Sequence, residues 1–182
     1  MYFDESGKIN TEMTLKKACE RGKALGLNEL VVASTTGDTA YKAIEIFEGF
    51  TITAVTCHSG FKVPFKTPMD ESVRKDLESK GIRVVRGTHA LSGVERAVAK
   101  KHSGVYPALL IADTLRLFGH GTKVAVEVAI MAADSGNLTG NDIVSIGGST
   151  RGADTALILK PANQSDIFDI RIREIICKPR NF

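Results

Sequence analysis

The stretch that decides the fold is "LVVASTTGDTAYKAIEIF", residues 30–47. It opens with apolar and β-branched residues, which favour a buried strand, and a helical pattern begins at Thr39. Between the two lies "STTG", residues 34–37, with three hydroxyls and a glycine. One Ser or Thr is enough to cap a helix. Such a turn also offers free backbone N–H groups, hydroxyl donors and the positive end of a helix dipole, so it predicts an anion site, most often for phosphate.

Strand and helix patterns alternate along the rest of the chain. Helical patterns cover residues 12–26, 39–48, 70–81, 91–104, 107–119 and 122–136. Strand patterns cover residues 29–35, 51–57, 82–88, 141–149 and 155–161, and residues 166–179 alternate like a half-exposed edge strand. Short, two-sided hydrophobic strands between helices predict an α/β fold: three layers, doubly wound, with a mostly parallel sheet. No linker or repeat divides the chain, so residues 1–182 form a single predicted domain.

Composition excludes several classes of protein. The chain has 24 basic and 21 acidic residues for a net charge of +3, and the charges are interspersed, so we expect no nucleic-acid partner. No apolar run reaches the ~20 residues of a membrane span, and the acidic, polar N-terminus is no secretion signal, so we expect no membrane partner. Three distant cysteines match no zinc or redox spacing, which favours a cytoplasmic protein with reduced thiols and no metal.

Ligands of open parallel sheets bind beyond the carboxyl ends of the strands, where the strand order reverses. The candidate ligand-binding residues after the strands are Ser34, Thr35, Thr36, Gly37, Asp38, Thr39, His58, Gly60, Phe61, Thr88, His89, Gly148, Ser149, Thr150, Arg151, Gly152 and Asp154. Arg151 is a fork donor suited to phosphate, and Asp154 either orients it, pairs with it on the surface or accepts a ligand hydroxyl. Lys123 opposes the dipole of its helix, so it either extends to solvent or faces an anionic ligand.

The histidines leave other interpretations open. His58, His89 and His120 fall in or beside predicted loops, and with Cys57 they would make a metal site only if the fold brings them together, since none of their spacings is typical of ligands. His58 or His89 would alternatively touch a ligand ring or act as an acid or base. The simplest interpretation is that they are polar loop residues.

Four pieces of the sequence carry a resemblance to a known family. They are "VVASTTGDTAYKAI", "ITAVTCH", "IRVVRGT" and "GTKVAVEVAIMAADSGNLTGNDIVSIGGS". Together they resemble the C-terminal α/β domain of pyruvate kinase over roughly residues 28–161. "RGADTALILKPA" and the N-terminal segment are similar to a stand-alone, mainly archaeal family of uncharacterised proteins with this fold, and the chain is identified as a member of that family.

The resemblance implies a sheet ordered 3-2-1-4-5, with the loops after the first and fourth strands side by side. In pyruvate kinase the loop that resembles residues 34–39 grips a phosphate of a sugar-phosphate effector, which implies phosphate ligands at Ser34, Thr35, Thr36, Gly37 and Thr39. Asp38 stands where many of the kinases have a basic or neutral residue, which favours a monophosphate. The kinase's barrel, metal carboxylates and catalytic lysine have no counterpart, so we expect no pyruvate kinase activity.

The stand-alone family further implies flavin mononucleotide (FMN) as the cofactor. Its phosphate would lie on the hydroxyl turn, Asp154 or Ser149 would bond its ribityl chain, and Phe61, Val63 and Phe65 would cover its ring. We therefore expect a protein that binds a small phosphorylated ligand, FMN, at the switch point between strands one and four. The alternatives are a flavin-dependent oxidoreductase of unknown substrate and a regulatory sensor of a sugar phosphate or nucleotide. The apolar helix 122–136 and the alternating C-terminal segment predict a homo-oligomer.

Overall fold

The structure is a computed structural model that describes all residues from 1 to 182, and it contains one seven-stranded sheet. The strands are β1 Tyr2–Phe3, β2 Glu29–Ala33, β3 Thr51–Cys57, β4 Arg83–Gly87, β5 Ile143–Gly147, β6 Thr155–Lys160 and β7 Arg171–Pro179. Across the sheet they lie in the order β4-β3-β2-β5-β6-β7-β1. The first four in that order are mutually parallel, whereas β6 is antiparallel to both of its neighbours.

The five strands expected from the sequence lie in the predicted order 3-2-1-4-5, as β4-β3-β2-β5-β6. The α/β class and the mostly parallel sheet are confirmed. The difference in detail lies at one end, where β6 turns back on β5 after only seven residues and is too close in sequence for a parallel crossover. There β7 and the two-residue β1 extend the sheet, so β7 has a neighbour on each side.

Six α-helices cover the two faces of the sheet. They are α1 Thr11–Ala24, α2 Asp38–Ile46, α3 Glu71–Ser79, α4 Gly93–His102, α5 Pro107–Arg116 and α6 His120–Asp134. The first three pack on one face, where Leu15, Ala40 and Leu77 belong to one apolar core. The other face carries α5 and α6 over a second core. Helix α4 buries no residue and contacts mainly α5.

The central strands are buried on both sides, as a parallel sheet between two helical layers requires. In β2, Leu30 and Val32 enter the core under α1 and α2, while Val31 enters the core under α6. All five residues of β5 are buried as well. The carboxyl ends of β2 and β5 therefore open at the same edge of the sheet, with a rigid apolar layer beneath them.

Helix α6 is apolar because it belongs to the core of this chain. Eleven of its residues are buried, and Gly121 and Gly147 let it approach the sheet so closely that a Cβ at Gly147 would lie 2.3 Å from the Gly121 carbonyl oxygen. The Ser145 hydroxyl donates to the Ala125 carbonyl at 2.7 Å across this contact. The apolar surface of α6 is thus used within the subunit, and it gives no reason to expect self-association, which stays a prediction.

The C-terminal segment differs from its sequence pattern. Residues Gln164–Asp169 form a 3-10 helix, and only from Arg171 does the chain run as β7. A second 3-10 turn, Lys8–Asn10, precedes α1 and was not predicted. None of the helices is both long enough and apolar enough to cross a membrane.

Candidate functional site

The loop after β2, residues 34–39, turns into the N-terminus of α2. Gly37 takes a left-handed conformation with φ 106°, and a Cβ there would lie 2.5 Å from Val73 on α3, so only glycine fits this turn. The buried Ser34 hydroxyl accepts the Ala40 N–H at 3.1 Å, which satisfies one of the N–H groups in the first turn of α2. The hydroxyls of Thr36 and Thr39 take no part in this contact.

The rest of this loop holds donors that bond to no acceptor. The backbone N–H groups of residues 35–39 make no hydrogen bond within the protein, and neither do the hydroxyls of Thr36 and Thr39. Thr39 is only 6% exposed, but its free hydroxyl oxygen is accessible from the surface. The Thr35 carbonyl accepts the Thr56 hydroxyl at 2.8 Å, which fixes the loop on β3. These donors surround the positive end of α2, which is the geometry of an anion site.

The loop after β5, residues 147–154, lies beside the first, because β5 and β2 pair in parallel with Ile146 opposite Val32. It is built around Asp154, which is fully buried. The Asp154 carboxylate accepts the N–H groups of Gly7 at 2.9 Å and Ser149 at 3.2 Å and the Thr155 hydroxyl at 2.8 Å. This carboxylate holds the loop and the N-terminal segment together.

Arg151 lies apart from that network. It is exposed and forms no ion pair, so the predicted contact between Arg151 and Asp154 is absent. A ligand hydroxyl at Asp154 would compete with three internal donors. Thr150 is exposed, and the Ser149 hydroxyl is buried without a hydrogen-bond partner. The residues of this loop with free polar groups are therefore Ser149, Thr150 and Arg151. Gly148 and Gly152 have a different role, because they pack against each other. A Cβ at Gly148 would lie 2.2 Å from the Gly152 carbonyl oxygen.

Three rings cluster beyond the ends of β3 and β4. The ring centroids of His58, Phe61 and His89 lie 4.9–5.8 Å apart, each pair edge to face. The His58 Nδ1 lies 2.7 Å from the Ser59 carbonyl oxygen, which only accepts, so Nδ1 carries the proton and a neutral His58 presents Nε2 as an acceptor. Burial lowers the pKa of His89. Phe61 keeps 47% of its surface exposed, so the cluster presents an aromatic face to solvent.

Lys123 neither extends to solvent nor faces an open site. Lys123 and Glu127 form a buried ion pair one turn apart on α6, each with 6% of its side chain exposed. Glu127 also accepts the Leu91 N–H at 3.0 Å, which ties the loop after β4 to α6. Burial lowers the pKa of Lys123, and the Glu127 carboxylate opposes that shift. A buried pair of this kind is expensive to desolvate and holds the edge of the site in one arrangement.

The sequence interpretation missed the partners that position these loops. Glu127 was assigned to an apolar helix, although its spacing of four from Lys123 was a signal for a pair. The N-terminal segment was also missed: Thr11 accepts the Ala153 N–H at 3.0 Å, and Gly7 binds Asp154. No local pattern indicates contacts between residues more than 140 positions apart.

The structure gives no geometric support for a metal site at the histidines and Cys57, or for Cys57 as a nucleophile. Burial raises the pKa of the Cys57 thiol, whose Sγ lies 3.9 Å from the Thr35 hydroxyl, and a raised pKa makes a poor nucleophile. No group of three or more His, Cys, Asp and Glu residues is arranged to hold a metal ion. His120 lies at the start of α6, away from the ring cluster.

The strand order reverses between β2 and β5, so the two loops lie at the switch point of a doubly wound α/β sheet. The family model for the pyruvate kinase alpha/beta domain matches residues 12–159. This chain belongs to that family. The match covers both loops and the four parallel strands β2, β3, β4 and β5.

Two solved structures give a weaker likeness. A pyruvate kinase from Cryptosporidium parvum is 15% identical, with a TM-score of 0.41 over 79% of this chain and 22% of that one. The Cryptosporidium parvum pyruvate kinase in complex with ADP is 13% identical, with a TM-score of 0.44 over 87% of this chain and 25% of that one. This chain therefore spans at most a quarter of those kinases.

Proposed function

We propose that the protein binds FMN, or a closely similar phosphorylated compound, with the terminal phosphate on the loop after β2. The observation that supports this most is the run of unbonded N–H groups at residues 35–39, together with the free hydroxyls of Thr36 and Thr39. A phosphate accepts several such donors at once, and the dipole of α2 adds to the attraction. Ser34 accepts only the Ala40 N–H, so these donors make no other hydrogen bond within the protein.

A single phosphate group suits this loop best. Asp38 is exposed at the first position of α2 and places a negative charge beside the donors. Arg151, after β5, is a free cation on a neighbouring loop. The Arg151 guanidinium and the helix terminus attract one phosphate group, whereas a second phosphate in the same loop would add negative charge beside Asp38.

The ring cluster supports a ligand with a flat end. His58 and Phe61 follow β3, which pairs with β2, and His89 follows β4 on the far side of β3. Cys57 at the end of β3 touches Thr35 of the loop after β2, residues 34–39, here called the phosphate loop. A compound with its phosphate on residues 35–39 can therefore lay an aromatic ring toward these side chains. Edge and face contacts with aromatic rings contribute about 0.5–1.5 kcal/mol beyond the burial of area. FMN combines a phosphate, a polyol and a flat ring.

Two further functions are consistent with such a site. In a flavin-dependent oxidoreductase, the free Nε2 of His58 would accept a proton from the compound that is oxidised. In a regulatory sensor, a sugar phosphate or nucleotide would occupy the same loop without turnover. We expect no pyruvate kinase activity in either case, because this sequence has no counterpart of the kinase's metal carboxylates and catalytic lysine.

The first experiment is a visible absorption spectrum of the freshly purified protein, with mass spectrometry of what denaturation releases. We expect a flavin spectrum and the mass of FMN. The ligand-free protein is then titrated with FMN and with riboflavin, which lacks the phosphate. Thr36→Ala combined with Thr39→Ala should weaken FMN binding by more than about a hundredfold, since each lost bond to a charged group costs about 1.5–3 kcal/mol, and riboflavin binding should change little.

Thr114→Ala is the matched control, because this exposed threonine on α5 lies far from the loop. Equal losses for FMN and riboflavin in the loop variant would contradict the phosphate assignment. A colourless protein that releases a sugar phosphate or nucleotide would replace FMN by the sensor's ligand. A protein that releases nothing and is not stabilised by FMN would contradict the proposal.

A further inference from the structure

A cavity lies beside the ring cluster, and both Thr88 and His89 line it. It has a volume of about 360 Å³, within the range of small-molecule pockets, and lies between the loop after β4, the first turn of α4 and the starts of α5 and the 3-10 helix Gln164–Asp169. No residue of the phosphate loop lines it. Its lining is mixed, with Thr88, His89, Ser92, Glu95 and Gln164 as the polar members.

Ser92 is the residue that marks this cavity as a binding site. It is only 5% exposed and lines the cavity, yet its hydroxyl makes no hydrogen bond. The hydroxyl oxygen itself is accessible, so a molecule in the cavity can bond to it. Its backbone is fully used, since the N–H donates to the His89 carbonyl and the carbonyl accepts the Arg96 N–H. The unpaired hydroxyl therefore leaves one polar atom free toward the cavity.

Two free backbone donors lie two and three residues after Ser92. The N–H groups of Val94 and Glu95 bond to no acceptor, and both residues line the cavity. They belong to the first turn of α4, a ten-residue helix whose N-terminus carries roughly half a positive charge. Serine hydroxyl, two N–H groups and helix dipole together form a set of donors for an oxyanion.

The charges around the cavity disfavour a doubly charged ligand. No lysine or arginine lines it. Glu95 adds a carboxylate, whose Oε2 accepts the Ala108 N–H at 2.9 Å and the Leu109 N–H at 3.4 Å at the start of α5. Burial lowers the pKa of His89, so its ring is mainly neutral near pH 7. The Glu95 carboxylate repels a phosphate dianion more strongly than a monoanion, so an anion held by these donors should carry a single charge.

We propose that this cavity binds the carboxylate of a small organic acid, through the Ser92 hydroxyl and the free N–H groups of Val94 and Glu95. The acid would lie against His89, whose ring also belongs to the cluster with His58 and Phe61. The protein would thus hold two compounds side by side, one on the phosphate loop and one at α4. This inference does not rest on the proposed function, because the two sites share no anion-binding residue.

The test is nuclear magnetic resonance of the 182-residue protein with acetate as the probe. Acetate should shift the amide signals of Val94 and Glu95 in a saturable way, and inorganic phosphate should bind more weakly at pH 7.5. Ser92→Ala should weaken acetate binding about tenfold, the effect of one hydrogen bond to a charged group. Ser79→Ala, an exposed serine on α3, is the matched control and should leave the affinity unchanged.

Three results would overturn the proposal: no saturable shift with acetate, tighter binding of phosphate than of acetate, or equal acetate affinity in Ser92→Ala. If Ser92→Ala does not fold, nuclear Overhauser contacts between the acetate methyl group and Val94 in the unmodified protein decide the matter, and their absence overturns it. The variant with Thr36→Ala and Thr39→Ala should keep its acetate affinity. Failure of the phosphate loop and failure of this site are therefore distinguishable.

Discussion

The loops after β2 and β5 begin at the carboxyl ends of neighbouring parallel strands, and both are rich in serine, threonine and glycine. Their hydrogen bonding differs. In the loop after β2, the N–H groups of residues 35–39 are free, whereas in the loop after β5 the Ser149 N–H donates to the buried Asp154 carboxylate and the Ala153 N–H donates to the Thr11 hydroxyl. Similar composition therefore gives one loop that is open to an external anion and one that carries its own.

This difference explains why the two loops are built into the protein to different depths. Asp154 bonds to Gly7, and Thr11 bonds to Ala153, so the loop after β5 also anchors the N-terminal segment. The loop after β2 is anchored only at its base, by Ser34 and by the Thr35 carbonyl. Changes in the loop after β5 should mainly affect stability, and changes in the loop after β2 should mainly affect ligand binding.

The largest expected effect is that of Asp154→Ala. It leaves the N–H groups of Gly7 and Ser149 and the Thr155 hydroxyl without their acceptor, and we expect the free energy of unfolding to fall by about 2–4 kcal/mol. Urea denaturation measures this. Asp38→Ala in the other loop removes only an exposed charge at a helix start and should cost about 0.5 kcal/mol. Similar losses for the two variants would break the comparison.

Gly148→Ala should have the next largest effect. Its Cβ would lie 2.2 Å from the Gly152 carbonyl oxygen, a backbone atom that can move only if the whole loop moves. We expect a loss of about 1–3 kcal/mol in the unfolding free energy, as for other overpacked sites. Gly87→Ala is the control, since its Cβ would meet nothing closer than 3.8 Å. A neutral Gly148→Ala would show that this loop is looser than its contacts indicate.

The fold was largely predictable because its signals are local. Apolar strands such as residues 30–33 and 143–147 alternate with amphipathic helices, and this alternation alone gives the parallel core of the sheet. The positions of both loops followed from the same pattern. The reversal of β6 was not predictable in this way, because Thr155–Lys160 is as apolar as a parallel strand would be.

The roles within the site were less predictable, because they depend on contacts between distant residues. Thr36 and Asp154 both looked like ligand-binding residues, yet only Asp154 finds donors inside the protein. Lys123 looked like a cation for a ligand until its partner Glu127 was placed beside it, away from solvent. A polar residue in a loop is assigned by what surrounds it, and sequence patterns give the residue without its surroundings.

Arg151→Ala should reduce affinity for FMN about fivefold, less than the loss of two loop hydroxyls, because the guanidinium is exposed and its attraction is screened by water and salt. Stability should not change, since Arg151 forms no ion pair. Titration calorimetry at low and high salt measures both the loss and its screening. Unchanged binding at low salt would mean that the two loops do not share a ligand.

The smallest effect should come from the loop after β4, where the His89 side chain is half-buried. Burial lowers its pKa in the folded protein below the value of about 6.5 expected in the unfolded chain. As pH falls through 6.5, the unfolded chain therefore takes up a proton at this residue before the folded protein does, and stability is lost until the folded pKa is passed. The unfolding free energy should thus fall less between pH 7.5 and 5.5 in His89→Asn than in the unmodified protein. His102→Asn, on the exposed end of α4, controls for the loss of one imidazole. An identical pH dependence in His89→Asn and the unmodified protein would show that the loop after β4 is as open to solvent as the phosphate loop.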